Sequence, residues 1–136
     1  MLEHEALESI GKVVEIYTEY DGFYIGELVK VNYGMCNIAE VKILACTKYP
    51  SQRTIMYKFN IYERLPYSNE SIETFSIKSL RPYDNDSIPE YYEHMLEIMD
   101  KTFFIENEAD QEIYERHKKY WEGKRGTYGK TVQGIT

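Results

Sequence analysis

The hydrophobic pattern of this chain changes period once, and that change constrains the fold more than any other feature. From Gly11 to about Leu80, apolar side chains come in short runs rich in β-branched and aromatic residues and parted by turn signals. After Ser87 they recur at spacings of three and four. The first stretch predicts a small antiparallel sheet or barrel, and the second predicts a helical segment. A length of 136 residues provides for one hydrophobic core and is too short for two well-stabilised ones.

The run Lys12 to Glu19 meets Tyr20-Asp21-Gly22, where Asp-Gly supplies the positive φ of a tight hairpin. A second strand, Phe23 to Asn32, carries Gly26 in its interior, which predicts a bulge or a sharp bend. Tyr33-Gly34 makes the next turn. A third run, Ile38 to Thr47, places Val41, Ile43 and Ala45 on one face and Glu40 and Lys42 on the other. The clearest alternation follows: Ile55, Tyr57, Phe59 and Ile61 alternate with Met56, Lys58 and Asn60, predicting a fourth strand. A weaker fifth strand carries Phe75 and Ile77 on a shared face and ends before the polar connection 81–86.

Ser87-Ile88-Pro89-Glu90 predicts a helix start: a serine cap, a proline in the first turn, and a glutamate three residues after the serine. From there Ile88, Tyr92, Met95, Leu96, Met99 and Phe103 form one apolar stripe. A second helix is expected to begin near Asn107 with Asp110 as its capping partner, and its shorter stripe is Ile113, His117, Tyr120 and Trp121. The expected organisation is a single domain over 1–122, with strands over 11–80 and a helical extension over 87–122. The tail 123–136 is glycine-rich and aperiodic, so a flexible segment is expected there.

The search for chemistry is largely negative. No Walker loop, dinucleotide glycine motif, HExxH pair or nucleophile elbow occurs in the sequence. No catalytic residue, metal site or cofactor is therefore assigned. His4, His94 and His117 fall in the N-terminal stretch, expected to fray, and in two separate helices, without ligand spacing. Cys36 and Cys46 lack CxxC spacing and are expected to be reduced structural thiols. The acidic start and the absence of a long apolar run predict neither a signal peptide nor a membrane-spanning helix, and hence a cytoplasmic protein. The stretch before Cys36 is not apolar, so lipidation of that residue is not expected.

With 23 acidic against 16 basic side chains, the formal net charge of −7 repels a phosphate backbone. The basic residues Lys42, Lys48, Arg53 and Lys58 are interleaved with Glu40 and Glu63, which disfavours nucleic acid. A barrel stacking single-stranded nucleic acid on its aromatic residues, helped by Lys124, Arg125 and Lys130, is the alternative function carried forward. What stands out instead is 14 tyrosines spread along the chain, since tyrosine brings large contact area with few rotors to freeze. The expected partner-binding residues are Tyr17, Tyr24, Tyr49 and Tyr62 on the strands, and Met95, Met99 and Phe103 on the helical stripe. Such a stripe ordinarily packs inward; turned outward, it would make a homodimer.

At Tyr24-Ile25-Gly26-Glu27, at Val41-Lys42-Ile43-Leu44-Ala45 with Lys48-Tyr49-Pro50 following, at Tyr62-Glu63-Arg64 and at Ile88-Pro89-Glu90-Tyr91, the order and spacing resemble the kinase-associated protein B family of spore-forming bacilli. The resemblance runs from about Lys12 to Met99. It implies a mainly β fold with α, namely an SH3-like, partly open antiparallel barrel of about five strands followed by a helical extension of one or two helices. It also implies a non-enzymatic protein-binding role beside a sensor histidine kinase in the phosphorelay that starts sporulation.

Overall fold

A computed structural model describes residues 1–32, 34, 37–52 and 63–135, with the side chains of the last helix described as far as Lys124. Its elements in chain order are α1 (Glu3–Glu8), β1 (Val13–Tyr17), β2 (Phe23–Asn32), β3 (Ile38–Lys48), β4 (Ile72–Ser76), a 3-10 turn (Ile77–Ser79), β5 (Leu80–Pro82), α2 (Tyr91–Thr102) and α3 (Glu108–Ile135). The strands form one open antiparallel sheet in the order β4-β3-β2-β1-β5, and two helices follow it. The strand of Ile55 to Ile61 expected from the sequence lies outside the described residues.

The hairpin between β1 and β2 forms where Asp-Gly predicts it. Gly22 takes φ +95°, and a Cβ there would sit 2.6 Å from the Lys48 carbonyl oxygen. Thr18 closes the turn by donating its hydroxyl to the Gly22 carbonyl at 2.6 Å and accepting from the Asp21 amide at 2.9 Å. The register between β2 and β3 shifts at Ile25/Gly26. A Cβ on Gly26 would lie 2.5 Å from Val41 Cγ1 and 2.6 Å from the Lys42 carbonyl oxygen. The missing side chain is what lets the bulged strand approach its neighbour.

The inward faces of the strands supply Val14, Ile16, Tyr24, Leu28, Val41, Ile43, Phe75 and Leu80 to one core. Helix α2 closes that core with Tyr91, Met95, Ile98 and Met99, and α3 adds Trp121. The helices thus clasp the sheet. Ile77, expected as a strand residue, is buried in the 3-10 turn directly after β4.

Two further local expectations change. The N-terminal stretch is ordered as α1, with Ala6 buried and the Met1 amino group donating to the carbonyls of Ile77 and Leu80 at 3.0 and 3.1 Å. Helix α2 is capped by Glu90 rather than Ser87: the Glu90 carboxylate accepts from the Glu93 amide at 2.7 Å. Proline 89 disfavours helical backbone in the residue before it, so the helix starts later and Ile88 is left exposed, off the stripe. Helix α3 begins as expected, with Asn107 Oδ1 accepting from the Asp110 amide while Asp110 accepts from the amides of Glu106 and Asn107. Its helical backbone then runs past Glu122 to Ile135.

Replacing Gly26 by alanine forces a methyl group into a Val41 side chain and a carbonyl. The expected outcome in urea denaturation is a loss of about 2–3 kcal/mol with an unchanged slope; an effect near zero would show that β2 and β3 can move apart freely.

Candidate functional site

Tyr49 follows directly on β3 and is buried where the sheet meets both helices. Its backbone amide donates to Thr102 Oγ1 at 2.9 Å, fixing the end of β3 to the last turn of α2. Its ring packs on Phe103 at 5.5 Å and on His117 at 5.7 Å between centroids. Its hydroxyl receives the indole N–H of Trp121 at 2.9 Å and lies 2.7 Å from His117 Nδ1. The second ring nitrogen of His117, Nε2, is 2.8 Å from Glu63 Oε1, and Arg116 reaches both oxygens of the same carboxylate at 3.2 Å.

These contacts assign the protons. With His117 neutral, Nε2–H donates to Glu63, Nδ1 accepts from the Tyr49 hydroxyl, and the Tyr49 oxygen accepts from Trp121. Every polar atom of the chain of bonds is then matched, and each bond polarises the next. Burial favours the neutral imidazole and pulls the His117 pKa down, against the opposing pull of Glu63. Burial pushes the Glu63 carboxyl up, but the bonds from His117 and Arg116 outweigh it and leave the pKa lowered. Burial likewise raises the Tyr49 phenol, with the Trp121 bond opposing. Gln52 sets where Glu63 emerges: its buried amide donates to the Arg64 carbonyl at 2.8 Å and accepts from the Arg64 amide at 2.7 Å.

A Glu–His pair is a familiar acid–base unit, but this one ends on Tyr49, which is 2% exposed. The chain of bonds joins elements and reaches no surface at its inner end. Cys46 is equally enclosed, its thiol pushed up to about 12 by burial, and so is a poor nucleophile. Among the described residues no three His, Cys, Asp or Glu side chains are grouped to hold a metal ion.

The outer face of the sheet carries a different arrangement. Across β5, β1, β2 and β3 in that order lie Arg81, Tyr17, Phe23 and Lys48. The Arg81 guanidinium sits 4.8 Å from the Tyr17 ring centroid, the two rings meet edge to face at 4.7 Å, and Lys48 Nζ sits 4.8 Å from the Phe23 centroid. Both cations are exposed and both rings half-buried. Strand pairing builds the strip, because Tyr17 is opposite Phe23 and Phe23 is opposite Lys48. The Tyr17 hydroxyl donates to Glu15 Oε2 at 2.6 Å, which orients the ring and raises its pKa.

Of the residues expected to bind a partner, Tyr17 alone lies in this strip. Tyr24 and Tyr49 are interior, the Tyr24 hydroxyl donating to the Asp21 carbonyl and accepting from the Tyr67 amide at 3.3 Å. Met95 and Met99 are fully buried under α2, and Phe103 is half-buried against Tyr49, Tyr114 and His117. Four of these five lie off the surface because the sheet consumes Met95 and Met99 of the α2 stripe, and because a backbone carbonyl at Tyr24 and the Trp121 and His117 side chains at Tyr49 satisfy tyrosine hydroxyls well inside the fold. Tyr62 and Cys36 lie outside the described residues. Phe23, Lys48 and Arg81 were missed as a group; the cue was cross-strand register, which the Asp21-Gly22 hairpin already fixes for Tyr17 and Phe23.

No family model and no curated protein matches the sequence. Among solved structures, kinase-associated protein B from Bacillus cereus is similar, with a TM-score of 0.57 and 23% identity, covering 88% of this chain and 96% of that one. At this identity the likeness is one of fold. No helix among the described residues is long and apolar enough to cross a membrane.

Trp121→Phe keeps an aromatic ring beside Tyr91, 5.9 Å away in the native chain, but removes the indole donor. We expect a loss of about 1–2 kcal/mol in thermal or urea unfolding, with the sheet retained by circular dichroism. An unchanged midpoint would mean that the indole bond contributes nothing.

Proposed function

We propose that this chain is a non-enzymatic docking module that accompanies a sensor histidine kinase in the cytoplasm, in the phosphorelay that starts sporulation. The carrying observation is the fold likeness to kinase-associated protein B, which extends over 88% of this chain and 96% of the other. The strip Arg81–Tyr17–Phe23–Lys48 supplies the docking face. It offers two exposed cations over two ring faces on a chain of formal net charge −7. A partner segment bearing carboxylates beside apolar side chains complements it.

Two other readings lose support. Single-stranded nucleic acid would need tyrosine faces open to bases, and Tyr24 and Tyr49 are interior. A homodimer through Met95 and Met99 would need a stripe that α2 spends on the sheet.

The test is calorimetry of the purified chain against the cytoplasmic part of a sporulation sensor kinase. Binding by the native chain, weakened about tenfold or more by the double substitution Lys48→Glu with Arg81→Glu, is the expected outcome. Absence of binding by the native chain would remove the kinase role. Binding indifferent to the double charge reversal would move the docking face elsewhere.

A further inference from the structure

We infer that the turn of α3 from His117 to Trp121 is a proton-operated latch, closed over Tyr49, Tyr91 and Phe103 while His117 is neutral and loosened at its Trp121 end when the imidazole takes up a proton. The described groups facing His117 come from three directions and from α3 itself. Tyr49 approaches from the end of β3, Glu63 from the segment beside Gln52, Phe103 from the end of α2 at 6.0 Å between rings, and Arg116 from α3 itself. Among the described residues that face it, only Glu63 carries negative charge, and Arg116 already reaches both its oxygens.

Protonation inverts the pattern of bonds at Tyr49. Nδ1 becomes a donor, so the Tyr49 oxygen must accept from both His117 and Trp121, and its own hydroxyl proton loses the acceptor it had. For a group as buried as Tyr49, an unmatched hydroxyl proton carries a desolvation cost. Glu63 still holds Nε2–H, so the strain falls on the inner half of the chain of bonds, where Trp121 closes the helix onto Tyr49 and Tyr91. The beginning of α3 has separate ties, the Asn107–Asp110 cap and a hydrogen bond from Tyr114 to Asp100. Release therefore concerns the turn beyond His117, which Glu63 retains, and uncovers aromatic surface without unfolding the sheet.

The pH direction follows from proton binding. The closed state holds His117 below its ordinary value of 6.5, so the released state binds more protons. Closure has its full strength above that ordinary value, weakens as pH falls from it toward the lower closed-state value, and changes no further below both. Glu63, also held low from an ordinary 4.5, loses its contribution only at more acid pH, so the two steps separate.

Trp121 is the only tryptophan of the chain and reports the latch directly. Emission of the full-length protein, measured alongside the imidazole resonances of His117, should shift to the red as pH is lowered from 7.5 to 5.5, with one shared midpoint. Hydrogen exchange should quicken severalfold at residues 117–121 and stay slow in β2 and β3. His117→Phe should abolish the pH response. Tyr49→Phe, which removes one oxygen atom and leaves the core volume intact, should shrink it while the sheet remains folded, and so decides the matter even if the phenylalanine at 117 prevents folding. The proposal is overturned if emission stays constant through the His117 titration, if the red shift survives in Tyr49→Phe unchanged, or if β2 and β3 open in the same step.

Discussion

One tyrosine joins the three parts of this fold. Tyr49 binds α2 through its backbone amide, packs on the α2–α3 connection through its ring, and receives α3 through its hydroxyl. A phenylalanine there would fill the same space and leave Trp121 and His117 with unmatched polar atoms inside the protein. Hydrophobic burial says only that α3 should cover the core; directional bonds to a single oxygen say where along α3 the contact must be. The indole and the imidazole sit four residues apart on one helix face, so that oxygen selects the helical register as well as the face.

The same use of tyrosine recurs around the core and explains why a chain with 14 of them need not display them. Tyr24 is tied to the Asp21 carbonyl inside the hairpin it helps to close, and Tyr91 to the Tyr67 carbonyl, pinning the start of α2 against the segment before β4. Burial raises the phenols of both, which keeps them neutral hydrogen-bond donors. A tyrosine of this kind contributes nearly the apolar area of phenylalanine and also satisfies a carbonyl that the irregular segments cannot pair for themselves.

Much of the fold is legible from local signals. Asp21-Gly22 marks the hairpin and Asn107 with Asp110 the start of α3, because each is decided by residues close in sequence, and Gly26 marks the bulge because a missing side chain inside a strand is itself the signal. The α2 stripe is equally legible in Met95 and Met99, though its periodicity could not say whether it faces the sheet or a partner. The site is less readable for a simple reason: His117 meets Glu63 across 54 positions and Tyr49 across 68. The stripe containing His117 is visible in the sequence, but the groups that make its nitrogen atoms useful arrive from segments with no local relation to it. The Ser87 cap fails for the opposite reason, since a strong local motif is overridden by Pro89, which holds Ile88 out of the helix and passes the capping role to Glu90.

The outer strip and the chain of bonds on Tyr49 hold their polar groups in two different ways. Arg81 and Lys48 are held over rings on neighbouring strands, so their long side chains have already given up much of the rotamer freedom that a docking event would otherwise remove. The rings are held in turn by cross-strand contact and by the Tyr17–Glu15 bond. A charge that is ordered yet still exposed keeps its attraction for an opposite charge while losing little on contact. The chain of bonds has the converse character at its inner end: Tyr49, His117 and Trp121 are buried and matched to one another, so they can fix the position of a helix. On the two proposals made above, recognition would use the outer strip and regulation the contacts of α3, and a change in one need not disturb the other unless α3 moves.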